Sequence, residues 1–282
     1  KLFKMLGVKA ISNSDCEVII HLYEKFGIDY TLQLLDGVYA FVLIDNDIDE
    51  IFVARDALGV RPLFCLKNNK VSLLDEYTES KSANLIGFAS ELKQLNKFTE
   101  DQDEYNYKSD ITVNQFSAGS VMHLKLNESA KWTILSENKF FNFNLTRLIP
   151  GNDEIDEDYI LSSIHEIFVE AVHKRVANTD RPIACLLSGG LDSSIVAALV
   201  SRIYNQTLET YSIGLEGSED LKYAREVAKF IKSNHTEVIV SEEDFFAFIP
   251  NTIYNIESYD TTTVRASVGN LLVSQYISEA SE

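Results

Sequence analysis

The strongest constraint on the fold is the stretch CLLSGGLDSSIVAAL at residues 185–199. An apolar run enters two glycines and a cluster of hydroxyl and carboxyl side chains, and a helix-forming run follows at once. A buried strand that turns directly into a helix is typical of a parallel sheet, because parallel strands need a crossover connection that is usually helical. We therefore expect an α/β domain here, with the glycine-rich turn at the carboxyl end of its strand.

The rest of the second half continues this alternation. Helices are predicted at residues 157–176, 193–204, 221–231 and 242–256, and strands at 183–187, 208–213 and 237–240. Strands that alternate with helices predict a parallel, doubly wound sheet of the Rossmann-like type. Such sheets bind ligands beyond the carboxyl ends of their strands, which is where the glycine-rich turn lies.

The first half of the chain is β-rich. Apolar residues at helical spacing predict a helix at 16–26, and short strands are predicted at 38–44, 51–54, 71–74, 86–90 and 121–126. This pattern favours stacked antiparallel sheets with helices packed outside them. A polar, acidic stretch with Pro150 and Gly151 separates the halves, so we expect one domain at residues 1–150 and a second at 151–282.

Composition argues against several classes of protein. The chain has 43 acidic and 25 basic residues and a formal charge of -18, which disfavours a nucleic-acid partner because phosphate backbones would be repelled. The longest apolar run, at 38–44, is far shorter than the roughly 20 residues that cross a bilayer, so no membrane contact is expected. The three cysteines lack CxxC spacing and no signal-like segment opens the chain, which favours a cytoplasmic location. A homodimer is left open.

The glycine-serine loop contains residue types that suit a phosphate group. Gly189 and Gly190 allow backbone amides to approach an anion, and the helix N-terminus behind them favours negative charge. Hydroxyl donors come from Ser188, Ser193 and Ser194. Asp192 is suited to hold Mg²⁺ against the phosphates. The alternative is a tight turn in which Asp192 or a serine caps the helix, but a cap explains one polar residue and leaves the cluster unexplained.

Three stretches carry a family resemblance. SGGLDSS resembles the pyrophosphate loop of the ATP-pyrophosphatase (PP-loop) families. The segments TYSIGLEGSEDLKYAREVA (210–228) and IESYDTTTVRASVGNLLVSQYI (256–277) resemble the glutamine-hydrolysing asparagine synthetases. With the first half included, the resemblance covers essentially the whole chain. It implies ATP and Mg²⁺ as cofactors, and aspartate and glutamine as further small-molecule partners.

The resemblance also implies which residues form the ATP and aspartate sites. The implied ATP-binding residues are Leu186, Leu187, Ser188, Gly189, Gly190, Asp192, Ser193, Ser194 and Ile213. Among these, Leu186 and Ile213 would contact the adenosine part, and Asp192 would meet the metal. Thr262, Thr263 and Arg265 match the catalytic segment beside the aspartyl-adenylate, and an arginine fork with hydroxyls suits a carboxylate. A surface salt bridge is the alternative role for Arg265.

The first half is similar to class II glutamine amidotransferase domains through LDGVYAFVLID (35–45), ARDALGVRPLF (54–64) and FASELKQL (88–95). The resemblance implies an α+β N-terminal-nucleophile fold with two antiparallel sheets between helices. It also implies that Asp15, in SNSDCEVIIHLYE (12–24), binds the α-amino group of glutamine, whereas an N-cap at the helix start is the alternative. A structural polar network is expected for Arg55, Asp56, Glu91 and Lys93.

The sequence also departs from the family pattern. The family's nucleophile is an N-terminal cysteine followed by glycine, whereas this chain begins with Lys1-Leu2-Phe3. Cys16 has no glycine partner and is expected to be an inert or buried thiol, and Cys185 is expected in the core. The family's second glycine-rich acidic segment would follow Glu282. The resemblance therefore implies an internal fragment that lacks both ends.

The implied activity of the intact parent is ATP-dependent asparagine synthesis. ATP would adenylate the aspartate side chain to give β-aspartyl-AMP, and ammonia from glutamine would displace AMP. Two alternatives stay open. One is a paralogous amidotransferase or β-lactam-type synthetase on the same scaffold, and the other is a non-catalytic nucleotide-binding protein if the chain is complete as given. A scaffold protein would leave the loop unexplained.

Overall fold

A computed structural model describes residues 2–12, 14–68, 85–100, 111–142, 156–179 and 181–280. The chain divides into two compact units, Lys1–Leu148 and Ile149–Glu282. The predicted strand at 71–74, most of the polar linker and the proposed boundary at Pro150 lie outside the described residues. Within the parts of the chain that the structure describes, no helix combines the length and apolarity needed to cross a membrane.

The first unit is built from two antiparallel sheets and flanking helices. Its described elements are α1 (Leu2–Leu6), α2 (Glu17–Leu34), β1 (Ala40–Asp45), β2 (Glu50–Arg55), β3 (Phe64–Asn68), β4 (Ile86–Ala89), α3 (Lys93–Glu100), β5 (Ile111–Gln115), β6 (Ser120–Leu126) and β7 (Trp132–Lys139). The strand orders are β1-β2-β6-β7 and β4-β3-β5. All described pairs in these sheets are antiparallel, as the sequence predicted.

The two sheets pack face to face around the main core of the first unit. That core contains Val53, Leu63, Cys65, Phe116, Met122, Leu124 and Ile134, with residues from both sheets. On the other face of the four-stranded sheet, Leu32 of α2 packs with Ala54 and Val121. Leu95 of α3 lies beside Leu66 and Gly87. Cys65 points into the core, so the next residue, Leu66, points to the outer face of the three-stranded sheet. The layers therefore follow the order helix, sheet, sheet, helix.

Helix α2 extends beyond the predicted helix at 16–26 and ends at Leu34. Gly27 interrupts its helical geometry with φ +76° and ψ 174°, and the Thr31 hydroxyl donates to the Gly27 carbonyl at 2.7 Å. The predicted end at Phe26 therefore coincides with this break, and a second helical segment that was not predicted continues to Leu34. Packing of Leu32 against the sheet stabilises the extra turns, which local sequence pattern does not show.

Arg55 and Asp56 hold together the loop that follows β2. The Arg55 guanidinium donates to the carbonyls of Gly59, Arg61 and Phe116 at 2.6–2.7 Å. The Asp56 carboxylate accepts from the amides of Tyr39, Leu58, Val60 and Arg61. Burial opposes ionisation of Asp56, but these amides outweigh it and hold its pKa below the ordinary value. The expected structural role is confirmed for Arg55 and Asp56, and Lys93 forms an ion pair with Glu91 at 3.3 Å.

The second unit alternates helices with parallel strands. Its described elements are α4 (Glu157–Ala177), β8 (Ala184–Leu186), α5 (Leu191–Ile203), β9 (Glu209–Gly214), α6 (Glu219–Ile231), β10 (Asn234–Ile239), α7 (Glu242–Ile256) and α8 (Thr261–Ala280). The strands pair in parallel in the order β10-β9-β8. The predicted alternation is confirmed, and the predicted ends differ from the observed ones by at most three residues. No element was predicted for the segment that forms α8.

Helices cover both faces of the parallel sheet. The cluster buried under α6 comprises Leu187, Ala197, Ala224 and Ala228, with Cys185 of β8 packed against it. Thr210 is the sheet partner of Cys185, so the two side chains share a face. Ile213 lies three residues further along β9 and points to the opposite face, where it approaches Gly269 of α8. This arrangement is the doubly wound architecture that the sequence predicted.

Replacing Asp56 by asparagine should destabilise the first unit. The amide keeps one acceptor but loses the charge that four backbone amides surround, so we expect a loss of about 1–3 kcal/mol in the free energy of unfolding. Urea denaturation at pH 7 measures it. The difference from the wild type should shrink as the pH falls through the depressed pKa of Asp56, because the wild-type carboxyl is then protonated too.

The matched control is Asp47→Asn in the exposed turn after β1, where we expect a change within about 0.5 kcal/mol. An equal loss in both variants would show that the Asp56 network contributes nothing specific to stability.

Candidate functional site

The loop after β8 is held in shape by its own serines. Ser193 and Ser194 donate their hydroxyl hydrogens to the Gly190 carbonyl at 3.2 and 2.6 Å. Ser188 Oγ lies 3.0 Å from Ser193 Oγ and accepts from the Gly190 amide at 3.3 Å. Since the single hydroxyl hydrogen of Ser193 points to Gly190, Ser188 is the donor in the serine pair. The three hydroxyls thus shape the loop, which leaves backbone amides as its open donors.

The two glycines of the loop have different roles. Gly189 has φ +79°, and a Cβ atom there would lie 2.5 Å from the Ala224 amide nitrogen and 2.6 Å from the Tyr223 Cβ of α6. Both its backbone conformation and its packing therefore require glycine. Gly190 has φ -69° and ψ 164°, which any residue can adopt, and a Cβ atom there would meet only Ser188 Oγ at 3.4 Å. The absence of a side chain at Gly190 thus leaves space beside the first amides of the following helix.

Helix α5 begins directly behind the loop and has no side-chain cap. Its N-cap residue is Gly190, and no side-chain hydrogen bond reaches the first turn, so the alternative in which Asp192 or a serine caps this helix is wrong. The first amides of a helix have no carbonyl partner within it, and the helix dipole adds positive potential there. The start of α5 is therefore suited to an anion.

Asp192 is exposed in the first turn of α5. Within the described ranges, its carboxylate has no hydrogen-bond or ionic partner, and no group of three or more His, Cys, Asp or Glu side chains forms a metal site. Mg²⁺ is commonly held by one or two carboxylates together with substrate phosphates. Asp192 therefore fits a magnesium ion that a bound phosphate helps to coordinate.

A cavity of about 100 Å³ lies beside the loop, at the carboxyl ends of β8 and β9. Its lining comprises Leu186, Leu187, Ser188, Tyr211, Ser212, Ile213, Asp220, Leu221, Asn270 and Val273. The structure thus brings Leu186 and Ile213, the residues expected to contact adenosine, to one cavity with Ser188. Leu186 is 46% exposed and offers an apolar surface, whereas the Leu187 side chain is buried in the core and its amide donates to the Tyr211 carbonyl at 2.8 Å.

Sequence reasoning missed the polar lining residues Ser212, Asp220 and Asn270. Asp220 lies in the first turn of α6, which follows β9 as the glycine-serine loop follows β8. That equivalence of position was a usable signal, because ligands bind where loops leave the carboxyl ends of neighbouring strands. Asn270 and Val273 lie one turn apart on α8 and could be found only from the tertiary packing of that helix.

Thr262, Thr263 and Arg265 lie in the first turns of α8, outside the lining of the cavity. The amide and hydroxyl of Thr263 both donate to Asp260 Oδ1 at 2.8 Å, which lowers the pKa of Asp260 and fixes the helix start. Thr262 and Arg265 are exposed. Among the described residues, Arg265 has no ion-pair partner, so the alternative of a surface salt bridge is not observed.

Asp15 lies in the first unit, just before α2. The N-cap position of α2 is Cys16 and no side chain caps the helix, so the N-cap role for Asp15 is wrong. The Asp15 carboxylate is exposed, with the Cys16 thiol 3.6 Å from its Oδ1. Cys16 was expected to be an inert or buried thiol, and because it is exposed the buried alternative is wrong, whereas Cys185 packs against two core clusters as expected.

Substitution of the two loop glycines by alanine should affect stability to different extents. Gly189→Ala should lower the free energy of unfolding by at least about 2 kcal/mol, because alanine is strained at positive φ and its methyl group would overlap the α6 backbone. Gly190→Ala should cost less than about 1 kcal/mol, since its backbone is extended. Urea denaturation of both variants tests this, and equal losses would contradict the proposed difference.

Comparisons with known proteins match both halves of the chain. The family model described as "Glutamine amidotransferase domain" matches residues 1–132, and the model described as "Asparagine synthase" matches residues 163–281. A solved structure of NH3-dependent NAD synthetase from Campylobacter jejuni is 18% identical, with a TM-score of 0.33, and covers 43% of this chain and 52% of its own. At that TM-score the likeness supports no statement about this chain.

Curated relatives align with nearly the whole sequence. The glutamine-hydrolyzing asparagine synthetase of Gallus gallus is 38% identical over 98% of this chain and 48% of the relative. Those of Mus musculus and Homo sapiens are each 36% identical, over 94% and 93% of this chain and 46% of each relative. The chain thus spans about half the length of these relatives. Its sequence is similar to glutamine-hydrolyzing asparagine synthetases, with a match to the glutamine amidotransferase domain model followed by a match to the asparagine synthase model.

Proposed function

We propose that the protein with this sequence makes asparagine from aspartate, with ATP as the activating substrate and glutamine as the nitrogen donor. The observation that carries the proposal is the uncapped start of α5, where open amides and the unpaired Asp192 carboxylate lie beside the cavity that Leu186 and Ile213 line. The family of both domains supports this reading of the site.

The geometry of the loop supports an ATP site. The pyrophosphate part of ATP accepts hydrogen bonds from the first amides of α5, and Gly190 leaves room for its approach. Asp192 would hold Mg²⁺, which offsets charge on the phosphates and on the departing pyrophosphate. Leu186 and Ile213 contribute apolar surface for the adenosine part. Ser188, Ser193 and Ser194 act through the shape of the loop.

Activation by ATP answers a chemical problem. A carboxylate is a poor electrophile, so an oxygen of the aspartate side chain attacks the α-phosphorus of ATP, which forms β-aspartyl-AMP and releases pyrophosphate. Ammonia then attacks the acyl carbon, and AMP leaves. We assign binding of the aspartate to Arg265 and Thr262, because the guanidinium has no ion-pair partner among the described residues. Thr263 positions this turn through Asp260.

The glutamine site belongs to the first unit. Its helix, sheet, sheet, helix order agrees with the N-terminal-nucleophile class, to which we assign it. Asp15 presents an exposed carboxylate to the ammonium group of glutamine. Hydrolysis of the glutamine side-chain amide supplies the ammonia.

The test is aspartate-dependent release of pyrophosphate from ATP by the protein at its natural length. Asp192→Asn should lower this rate by roughly 10²-fold or more, because the lost metal contact contributes several kcal/mol in the transition state. Asp158→Asn in the exposed first turn of α4 is the control and should leave the rate unchanged. Pyrophosphate release that needs another acid and ignores aspartate would contradict the proposal.

A further inference from the structure

Glu17, in the first turn of α2, binds the loop that precedes the helix. Its Oε1 accepts from the Ile11 amide at 2.7 Å, and its Oε2 accepts from the Ser12 amide at 2.6 Å and the Ser12 hydroxyl at 2.5 Å. His21 Nε2 lies 3.3 Å from the same Oε1. These contacts join the side chain of one residue to the backbone five and six residues earlier.

Further hydrogen bonds connect Ser12 to the residues on both sides of Asp15. Ser12 Oγ accepts from the Ser14 amide, and Ser14 Oγ accepts from the Cys16 amide, each at 3.2 Å. The Glu17 amide donates to the Ser14 carbonyl at 3.4 Å, which closes the turn. Asp15 lies between Ser14 and Cys16. The backbone is therefore fixed on both sides of Asp15, while the Asp15 carboxylate stays exposed.

The two neighbouring carboxylates differ in what they can bind. The Ser12 hydroxyl and the amides of Ile11 and Ser12 stabilise the Glu17 carboxylate and lower its pKa to about 2. Both Glu17 oxygens already accept hydrogen bonds, and the side chain is only 11% exposed. Of the two carboxylates, Asp15 is therefore the one that can bind a cationic group, because it is exposed.

Glu17 is not among the buried residues of α2. The buried residues at this end of the helix are Val18, Ile19 and Leu22, which lie beyond the loop. Loss of the Glu17 contacts should therefore release the loop and leave the helix in place. This separation allows an effect on the site to be distinguished from an effect on folding.

We infer that Glu17 is a positioning residue, which holds Ile11 and Ser12, and through Ser12 also Ser14, in the arrangement that presents Asp15 to the ammonium group of an α-amino acid. The inference rests on the proposed function, in which that amino acid is glutamine. Glu17 does not touch the substrate. It acts by removing alternative backbone conformations of the loop before the substrate arrives.

The test is the glutamine dependence of ammonia release by the protein at its natural length. Glu17→Gln keeps the size of the side chain but turns an NH₂ group towards backbone donors, so we expect KM for glutamine to rise about tenfold or more, with a smaller change in kcat. Asp29→Asn, the same carboxylate-to-amide change at an exposed position later in α2, is the matched control and should leave KM unchanged.

A double-mutant cycle with Asp15→Asn identifies the route of the effect. If Glu17 acts through Asp15, Glu17→Gln should not raise KM further in the Asp15→Asn background. If the increases in KM caused by the two substitutions multiply in the double variant, or if KM is unchanged in Glu17→Gln, the inference is wrong but the proposed glutamine site is not. An unchanged KM in Asp15→Asn would overturn the proposed glutamine site and the inference with it.

Amide hydrogen exchange gives a readout that does not depend on turnover. The Ile11 and Ser12 amides should lose protection in Glu17→Gln and keep it in Asp29→Asn, while the amides of α2 from Leu22 onwards stay protected in both. Retained protection of Ile11 and Ser12 in Glu17→Gln would overturn the inference. Loss of protection throughout α2 would also overturn the inference, because Glu17 would then stabilise the helix and not only the loop.

Discussion

The contact between Gly189 and α6 is the constraint on which the site of the second unit depends. With no Cβ atom, Gly189 can adopt positive φ while its loop lies directly against the backbone of Tyr223 and Ala224. That contact fixes where the chain leaves β8 and therefore where α5 begins. The open amides of α5 and the cavity at the ends of β8 and β9 lie side by side as a consequence.

At each candidate site, the polar side chains that shape the backbone are different residues from the exposed charged side chains that could bind a ligand. The loop serines satisfy one another, Thr263 bonds to Asp260, and Glu17 is saturated by the loop before α2. Asp192, Asp15 and Arg265 instead keep exposed charged groups with no ion-pair partner among the described residues. Polar groups that are already paired shape a site, whereas unpaired charges near them can meet a ligand without first breaking a strong hydrogen bond.

The sequence predicted the architecture of the second unit, because the hydrophobic periods of its strands and helices differ clearly. It treated Gly189 and Gly190 alike and did not predict that Gly189 alone packs against α6. It did not predict the use of the serine hydroxyls, which depends on where the Gly190 carbonyl points. The predicted end of the first helix at Phe26 coincides with the break at Gly27, but the second helical segment that runs to Leu34 was not predicted, because it depends on the tertiary packing of Leu32. Capping roles for Asp15 and Asp192 were reasonable from residue type, but only the backbone geometry could exclude them.

The most direct test of the account is to titrate this chain with ATP and Mg²⁺ and to follow its backbone amide resonances by NMR. We expect the largest shifts at Gly190 and at the first amides of α5, Leu191 to Ser193, with further shifts at Leu186 and Ile213 of the cavity. Shifts confined to other elements, or no shifts at millimolar ATP, would contradict the claim that the start of α5 is the phosphate site.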